Sequence, residues 1–258
     1  MDKTVDFRPP ATDRAFRVTG SAADRSIVGA LEFGQGHYED HVCKLLARIL
    51  APDAVCLDVG ANIGVISLAI AAYAPRGRVY SFEPSRFNFA HLAKNVEQNA
   101  LAHVRPVNLG AYDSAIELKF SYVEQVAGCS FASTTDVAEG TPEVIHCVAL
   151  DDWVSDERLE RVDFIKLDVE GAEIHALKGM QGLLARFRPG MVIEFNPVPI
   201  RRFYNEDPEV LWNLLVGLFP RLARIADDGS LEELESYAQL ARALETGRGW
   251  EDLYCRFA

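Results

Sequence analysis

The strongest constraint on this chain is the stretch 54–73, which predicts a strand, a glycine turn and a helix. Residues 54–57 (AVCL) form an apolar run of strand length, and apolar residues recur at helical spacing afterwards, at Ile66, Ala69, Ile70 and Tyr73. Gly60 permits a turn that a Cβ would obstruct, and Gly64 permits close packing of the helix on the strand. Since backbone N–H groups stay unpaired at a helix N-terminus, the turn predicts a polar ligand site.

The spacing of the glycines indicates which ligand binds there. A dinucleotide site needs Gly-x-Gly-x-x-Gly, and the position two residues after Gly60 is Asn62. Asp58 places an anion at the end of the strand, which is unfavourable for a phosphate and favourable for an ammonium or sulfonium group. S-adenosylmethionine carries both of these cations, so the turn favours it as the cofactor.

Two further strand ends are predicted to meet at the same edge of a parallel sheet. Residues 78–84 (RVYSFEP) place Glu83, followed by Pro84, where an acidic residue of such folds accepts hydrogen bonds from ribose hydroxyls. Asn108 and Leu109 follow the next strand and are our candidates for the edge and the face of an adenine. Each feature alone has another interpretation, because Asp58 could cap the turn, Glu83 could be solvated, and Asn108 is ordinary in a turn.

The ordered motifs resemble those of one known family. Residues 58–64 (DVGANIG), 82–84 (FEP), 164–173 (FIKLDVEGAE) and 177–179 (LKG) are similar to the FkbM family of S-adenosylmethionine-dependent methyltransferases. The third block is the specific one, since the first two occur in many class I methyltransferases. The resemblance implies a Rossmann-like class I α/β fold with seven mostly parallel strands, and O-methylation, commonly of sugars or secondary metabolites. The cofactor-binding residues predicted in this way are Asp58, Gly60, Asn62, Gly64, Glu83, Pro84, Asn108, Leu109 and Asp168.

Composition limits the partners of the chain. Its 258 residues, 49% of them hydrophobic, can bury one large core. The 38 acidic against 26 basic residues give a net charge of -12, which disfavours nucleic acid and favours a small-molecule acceptor. The five cysteines lack paired spacing, so we expect free buried thiols, a reducing cytoplasm and no zinc site. A polar N-terminus and the lack of a long apolar run predict no signal peptide and no membrane insertion, and a homo-oligomer is possible.

The pattern along the chain predicts one domain over residues 38–258, preceded by an N-terminal segment, 1–37. That segment is either partly mobile or a lid over the site, with a short strand within 26–33. Residues 54–108 alternate strand and helix, which predicts a right-handed βαβαβ unit. Alternating apolar residues in 115–150 predict a small antiparallel insertion, either a wall of the acceptor pocket or a cover. Strands are predicted at 164–168, 191–195, 222–226 and 252–257, and a capping box at 230–233 predicts a helix start.

An alcohol acceptor must lose a proton during methyl transfer, so a base is expected near the methyl group. Asp168 is our first candidate, and Glu170 and His37 are the others. Glu173 is expected to offset the dipole of the helix that it begins. A divalent cation held by Asp168, Glu170 and Glu194 is disfavoured, because alternation along a strand turns neighbouring side chains to opposite faces. We therefore predict no metal.

The sequence thus predicts an O-methyltransferase acting on a hydroxyl group of a small molecule. One alternative is an NAD(P)-dependent oxidoreductase, against which the Asn62 spacing and the lack of a Tyr-x-x-x-Lys pattern argue. The other is a non-catalytic protein that binds an adenosyl ligand. Turnover of any acceptor would reject this second alternative.

Overall fold

A computed structural model of the chain describes the backbone of residues 1–129, 131–133 and 140–257, with the side chains of 1–126 and 140–257. The first part of the chain forms a β-hairpin, followed by the first strands and helices of the central βαβ unit. Its elements are β1 (Asp2–Phe7), β2 (Phe16–Ser21), α1 (Val28–Phe33), α2 (Asp40–Ile49), β3 (Val55–Val59), α3 (Val65–Tyr73), β4 (Arg78–Phe82), α4 (Arg86–Gln98) and β5 (Val104–Val107).

The middle of the chain contains the predicted antiparallel insertion. Its elements are β6 (Gly110–Ala111), β7 (Ile116–Tyr122), a 3-10 helix (Glu124–Cys129), β8 (Phe131–Ser133), β9 (Thr141–Val148) and α5 (Leu150–Asp156). β7 pairs antiparallel with both β8 and β9, which confirms the prediction for 115–150. The sequence of this insertion also predicts a loop at 128–135, and parts of that stretch lie outside the described residues.

The last part of the chain returns to strands of the central sheet. Its elements are β10 (Phe164–Leu167), α6 (Glu173–Lys178), α7 (Gln181–Phe187), β11 (Gly190–Phe195), α8 (Pro197–Tyr204), α9 (Pro208–Leu218), β12 (Arg221–Ile225), β13 (Leu231–Glu233), α10 (Tyr237–Thr246) and β14 (Glu251–Arg256). Asp207 caps α9 through a hydrogen bond from the N–H of Glu209, 3.0 Å long, and Pro208 is the first residue of this helix.

The central sheet has the order β13-β12-β14-β11-β10-β3-β4-β5 within the described residues. The strands from β11 to β5 are parallel, and β14 is antiparallel to both of its neighbours. The predicted α/β fold with a mostly parallel sheet is therefore confirmed. The predicted strand number, seven, is one too low, because β13 adds a short strand at the edge.

Helices cover both faces of this sheet, because its buried strands alternate apolar side chains between two cores. Cys56 of β3 packs in the core beneath α2, α3 and α4, whereas Leu57 and Val59 pack in the opposite core with α5, α6 and α9. Four of the five cysteines are free and buried, as predicted, namely Cys43, Cys56, Cys147 and Cys255. The side chain of Cys129 lies outside the described residues. No helix within the described ranges is long and apolar enough to span a membrane.

The N-terminal segment is folded against the core. Phe7, Phe16 and Val18 of the β1–β2 hairpin are buried in the same core as α2 and α3. The short strand expected within 26–33 is wrong, because this stretch contains the helix α1. Its buried residues, Val28 and Leu31, are three positions apart, which is a helical spacing.

Two expectations in the last third also need correction. Residues 231–233 form the edge strand β13, and the helix starts later, at Tyr237, where the hydroxyl of Ser236 accepts a hydrogen bond from the N–H of Gln239. The Ser-x-x-Glu pattern at 230–233 is therefore not a capping box, since Leu231 pairs with Ile225 of β12. The prolines of the Pro197-Val198-Pro199 stretch predict a turn after β11, but this stretch is the first turn of α8, capped by Asn196.

Candidate active site

The carboxyl ends of β3, β4 and β10 open into one cleft. Its space is about 960 Å³, part of it open to solvent. Among the predicted site residues, those that line it are Asp58, Gly60, Asn62, Glu83, Pro84, Asp168 and Glu170. Because parallel strands bring their carboxyl ends to one edge of a sheet, residues far apart in sequence converge here.

The glycine turn has the geometry that its sequence predicts. Gly60 has a φ of 87°, and a Cβ at this position would overlap the carbonyl oxygen of Asp168. This residue must therefore be glycine both for its backbone conformation and for the approach of β10. Gly64, with a φ of 93°, does not line the cleft, and a Cβ there would meet the side chain of Leu92. Its close contact is thus with α4 rather than with the strand.

Asp58 lies at the base of the cleft and is 2% exposed. The hydroxyl of Ser67, on α3, donates a hydrogen bond to its Oδ2 atom. Burial raises the pKa of Asp58 to about 6, and the hydrogen bond from Ser67 opposes that rise. A cationic ligand would therefore be attracted by this carboxylate and would favour its ionised form.

Glu83 is held rigidly at the end of β4. Its Oε2 atom accepts a hydrogen bond from the backbone N–H of Asn62 at 3.0 Å, and its Oε1 atom accepts one from that of Ser85 at 2.9 Å. Burial is the main cause that raises the pKa of Glu83 to about 8. The carboxylate joins the glycine turn to the start of α4, and both oxygens keep acceptor capacity for ligand hydroxyls.

Lys166 is the cation at the back of the cleft, and it is buried. Its Nζ atom lies 3.0 Å from Oδ2 of Asp168 and 3.8 Å from Oδ1 of Asp252 on β14. Burial alone would lower the pKa of Lys166, but the negative charges around it, Asp168 first, raise that pKa well above its ordinary value. Asp252 also contacts Nε2 of His41 at 2.8 Å and Nη2 of Arg248 at 3.2 Å.

The loop after β10 is shaped by two glutamates. Glu170 lines the cleft with a φ of 51°, and burial together with the charge of Asp168 raises its pKa well above its ordinary value. Glu173 accepts hydrogen bonds on Oε1 from the N–H groups of Val169, at 3.2 Å, and Gly171, at 3.1 Å. Glu173 therefore braces this loop directly, which is a more specific role than offsetting the helix dipole.

Three other predicted residues lie elsewhere. His37 is exposed on the surface, with Nδ1 3.0 Å from Oδ2 of Asp40. The side-chain amide of Asn108 donates to the carbonyl groups of Glu83, at 2.8 Å, and Pro84, at 3.0 Å, so it supports the β4 end from outside the cleft. Leu109 packs against the main core. After β5, the residues that line the cleft are Gly110 and Ala111 rather than Asn108 and Leu109.

The structure adds residues that the sequence patterns did not reveal. Tyr38 and Glu39, directly before α2, line the cleft beside Lys166 and Asp168. Glutamate is not among the residues that are preferred as N-caps, and Glu39 makes no side-chain capping hydrogen bond. The insertion and α8 add an apolar wall, formed by Tyr112, Leu118, Phe120, Ile145, Cys147 and Tyr204.

The carboxylates do not converge as a metal site in the part of the chain that the structure describes, where no group of three or more potential ligands has a suitable arrangement. Glu194 was the third ligand in the cation site that the sequence disfavours, with Asp168 and Glu170. Its Oε1 atom accepts a hydrogen bond from the side-chain amide of Asn196 at 3.1 Å. Lys166 itself contacts Asp168. Lys166 thus places a positively charged side chain among these acids.

Comparison with known proteins agrees with this geometry. The sequence profile of the Methyltransferase FkbM domain matches residues 58–219, from the glycine turn to the end of α9. The chain belongs to the FkbM methyltransferase family. A solved FkbM methyltransferase from Methylobacillus flagellatus has the same fold, with a TM-score of 0.50 and 19% identity over 80% of this chain and 45% of that one. The fold is thus that of class I methyltransferases.

Two curated relatives show how far the similarity extends. The AMB antimetabolite synthetase AmbE of Pseudomonas aeruginosa is 32% identical over 58% of this chain, but the match covers 9% of AmbE. The 2-O-methyltransferase NoeI of Sinorhizobium fredii is 24% identical over 56% of this chain and 65% of NoeI. The chain spans less than two thirds of either relative. Similarity therefore extends to the methyltransferase core and not to the whole relatives.

Proposed function

We propose that this FkbM-family protein is an S-adenosylmethionine-dependent O-methyltransferase whose acceptor is a hydroxyl group of a small molecule, such as a secondary metabolite or a sugar. The observation that carries the proposal is the charge of the cleft. Of the described charged residues that line it, five are acidic (Glu39, Asp58, Glu83, Asp168 and Glu170) and one, Lys166, is basic. A ligand with cationic groups would favour the ionised forms of these buried acids, whereas the pyrophosphate of NAD(P) would be repelled by each acid that is ionised.

The residues of the cleft have distinct proposed roles toward this cofactor. Glu83 accepts hydrogen bonds from the ribose hydroxyls, with Pro84 beside it, and the Gly60–Asn62 turn lets the ligand approach the backbone. Asp58 and Asp168 offset the positive charge of the methionine part. When bound, S-adenosylmethionine supplies a methyl group on a positively charged sulfur. The protein holds the acceptor hydroxyl in line with that group and removes its proton.

The acceptor side of the cleft supports a small organic substrate. The apolar wall contributed by the insertion buries aromatic and aliphatic side chains, which suits part of an organic molecule rather than a polyanion. The name of NoeI describes a 2-O-methyltransferase and that of AmbE an antimetabolite synthetase, which supports transfer to oxygen in small-molecule chemistry. Asp168 and Glu170 line the cleft and are the candidates for the base, whereas His37 lies on the surface.

Titration calorimetry tests the cofactor assignment. We expect saturable binding of S-adenosylmethionine and S-adenosylhomocysteine and no binding of NADH. Asp58→Asn removes a negative charge from the base of the cleft, so we expect at least about tenfold weaker binding of S-adenosylmethionine. Asp53→Asn, on an exposed loop, is the matched control and should bind like the wild type. Binding of NADH alone would contradict the proposal in favour of an oxidoreductase.

Methyl transfer tests the reaction. Purified protein and isotopically labelled S-adenosylmethionine are incubated with panels of sugars and hydroxylated metabolites, and labelled products are identified by mass spectrometry. Transfer to oxygen is the expected result. Transfer to nitrogen or carbon in an accepted substrate would contradict the O-methyl assignment. Cofactor binding without turnover in any panel would favour the non-catalytic alternative.

A further inference from the structure

Glu39 has an unusual position for an acidic side chain. It lines the cleft, its Oε2 atom is buried, and that atom has no hydrogen-bond partner among the described residues. A buried carboxylate oxygen without a donor is costly, so a native protein normally pairs it. The missing donor is therefore expected to come from a ligand in the cleft.

The backbone of Glu39 also points to a ligand-binding role. Glu39 precedes α2 in a left-handed conformation, with φ 44° and ψ 45°, and it forms no side-chain cap. Three of the nine described non-glycine residues with positive φ line this cleft, namely Glu39, Asn62 and Glu170. Such strained conformations cost free energy and concentrate at binding sites. The strain at Glu39 thus coincides with a cleft position rather than a helix cap.

We propose that the Glu39 carboxylate binds the ammonium group in the methionine part of S-adenosylmethionine. This assignment rests on the proposed function. An ammonium supplies both a donor for the open oxygen and a positive charge inside an acidic cleft. A neutral acceptor hydroxyl would supply the donor alone, and a sulfonium has no N–H or O–H to donate.

The order and register of the strands support a position of Glu39 near the methionine end of the ligand. Asp58 of β3 lies opposite Ser81 of β4 on one side and Lys166 of β10 on the other. With the ribose at Glu83, beyond β4, a ligand crossing the glycine turn directs its other end toward β10. Glu39 lies on that side, because Lys166, Asp252, Asp168 and Asp58 are the charged groups that act on it.

Burial disfavours the ionised form of Glu39, and a cationic partner would favour that form. Burial is the main cause that raises its pKa to about 8, and the charge of Lys166 opposes the rise. The groups that face it come from every neighbouring element: Tyr38 before α2, Cys43 on α2, Asp58 on β3, Lys166 and Asp168 on or after β10, and Asp252 on β14. Lys166 is paired with Asp168, so an ammonium would add a positive charge that this environment lacks.

The test is Glu39→Gln, which keeps the shape of the side chain and removes its charge. Calorimetry measures binding of three ligands. S-adenosylmethionine has the ammonium and the sulfonium, S-adenosylhomocysteine has only the ammonium, and 5′-methylthioadenosine has neither. We expect a loss of roughly 10- to 100-fold in affinity for the first two, by the same factor, and no change for the third.

Glu97→Gln on the exposed face of α4 is the control, and it should leave all three affinities unchanged. Loss for S-adenosylmethionine alone would overturn the assignment and place Glu39 against the sulfonium. Equal affinities in the variant and the wild type would overturn it in favour of an acceptor contact. Loss for all three ligands would indicate a collapsed cleft and also overturn it. Failure of the wild-type protein to bind either methionine-containing ligand would reject the proposed function itself.

Discussion

At the scale of single residues, Glu83 should make folding stability depend on pH. Its pKa in the native state is about 8, raised mainly by burial, whereas an unfolded glutamate titrates near 4.5. Between these values the native state holds a proton that the unfolded state has released. The free energy of unfolding therefore falls as pH rises through this window. Each such group contributes up to about 1.4 kcal/mol per pH unit.

We predict that Glu83→Gln flattens this slope in the ligand-free protein. Urea denaturation between pH 5.5 and 7.5 measures it. Asp58, Glu173 and Glu39 have raised pKa values and add slopes of the same sign, so the informative quantity is the difference between variant and wild type. Glu97→Gln should retain the wild-type slope. An unchanged slope in Glu83→Gln would mean that Glu83 is already ionised in the native protein.

The same residues show what the sequence could reveal about the site. Asp58, Gly60 and Glu83 were predictable because each stands at a fixed offset from a strand end, and the structure brings them to one cleft. Glu39 was not predictable, because a glutamate before a helix has the same sequence pattern whether its side chain faces solvent or points into a cleft. Its role depends on a left-handed backbone that no local sequence signal marks.

At the scale of elements, Lys166 connects β10 with β14. Its Nζ atom lies near Asp168 and Asp252, and it is 2% exposed. Breaking a buried ion pair by removing one partner costs about 3 to 5 kcal/mol, because the remaining charges lose their compensation. We therefore predict that Lys166→Met destabilises the protein by about this amount, measured by urea denaturation.

A double-mutant cycle separates charge from packing in this prediction. Adding Asp252→Asn to Lys166→Met removes one of the stranded charges, so the double variant should lose less stability than the sum of the two single losses. Lys178→Met, at an exposed position of α6, is the control and should change stability little. Strict additivity would show that Lys166 and Asp252 do not interact.

The elements themselves were largely predictable where the apolar period was clear. The alternating strands and helices from β3 to β5 and the antiparallel insertion were predictable from the spacing of their apolar residues. In each segment that spacing puts the apolar side chains on one face of a helix or of a strand, but not of both. The strand β13 was mistaken for a helix start because Ser-x-x-Glu fits both. Pairing of Leu231 with Ile225 decides between them, and that pairing closes a hairpin between β12 and β13, which the Ser-x-x-Glu pattern alone does not indicate.

At the scale of the whole molecule, one side chain joins the N-terminal hairpin to the glycine turn. Asn95 of α4 is fully buried, and its Oδ1 atom accepts a hydrogen bond from the N–H of Thr19 at 2.7 Å. Its Nδ2 atom donates to the carbonyl groups of Thr19, at 3.0 Å, and Ile63, at 2.8 Å. The hairpin, α4 and the glycine turn are therefore held by one amide.

This arrangement favours a structural role for the N-terminal segment, which differs from the mobile segment or lid that the sequence predicts. We predict that Asn95→Ala lowers the free energy of unfolding by about 3 kcal/mol, because it leaves buried N–H and C=O groups unpaired. Binding of S-adenosylmethionine should weaken as well, since Ile63 belongs to the turn. Denaturation and calorimetry measure the two effects.

Asn99→Ala is the matched control, because Asn99 is half-buried and hydrogen-bonds to the same hairpin through the backbone of Arg17, without the hydrogen bond to Ile63 that Asn95 makes. It should cost at most about 1 kcal/mol and leave cofactor affinity unchanged. If Asn95→Ala instead left stability intact and only accelerated release of the cofactor, the hairpin would be a lid. A joint loss of stability and affinity would mean that the fold of residues 1–21 and the shape of the cofactor cleft depend on each other.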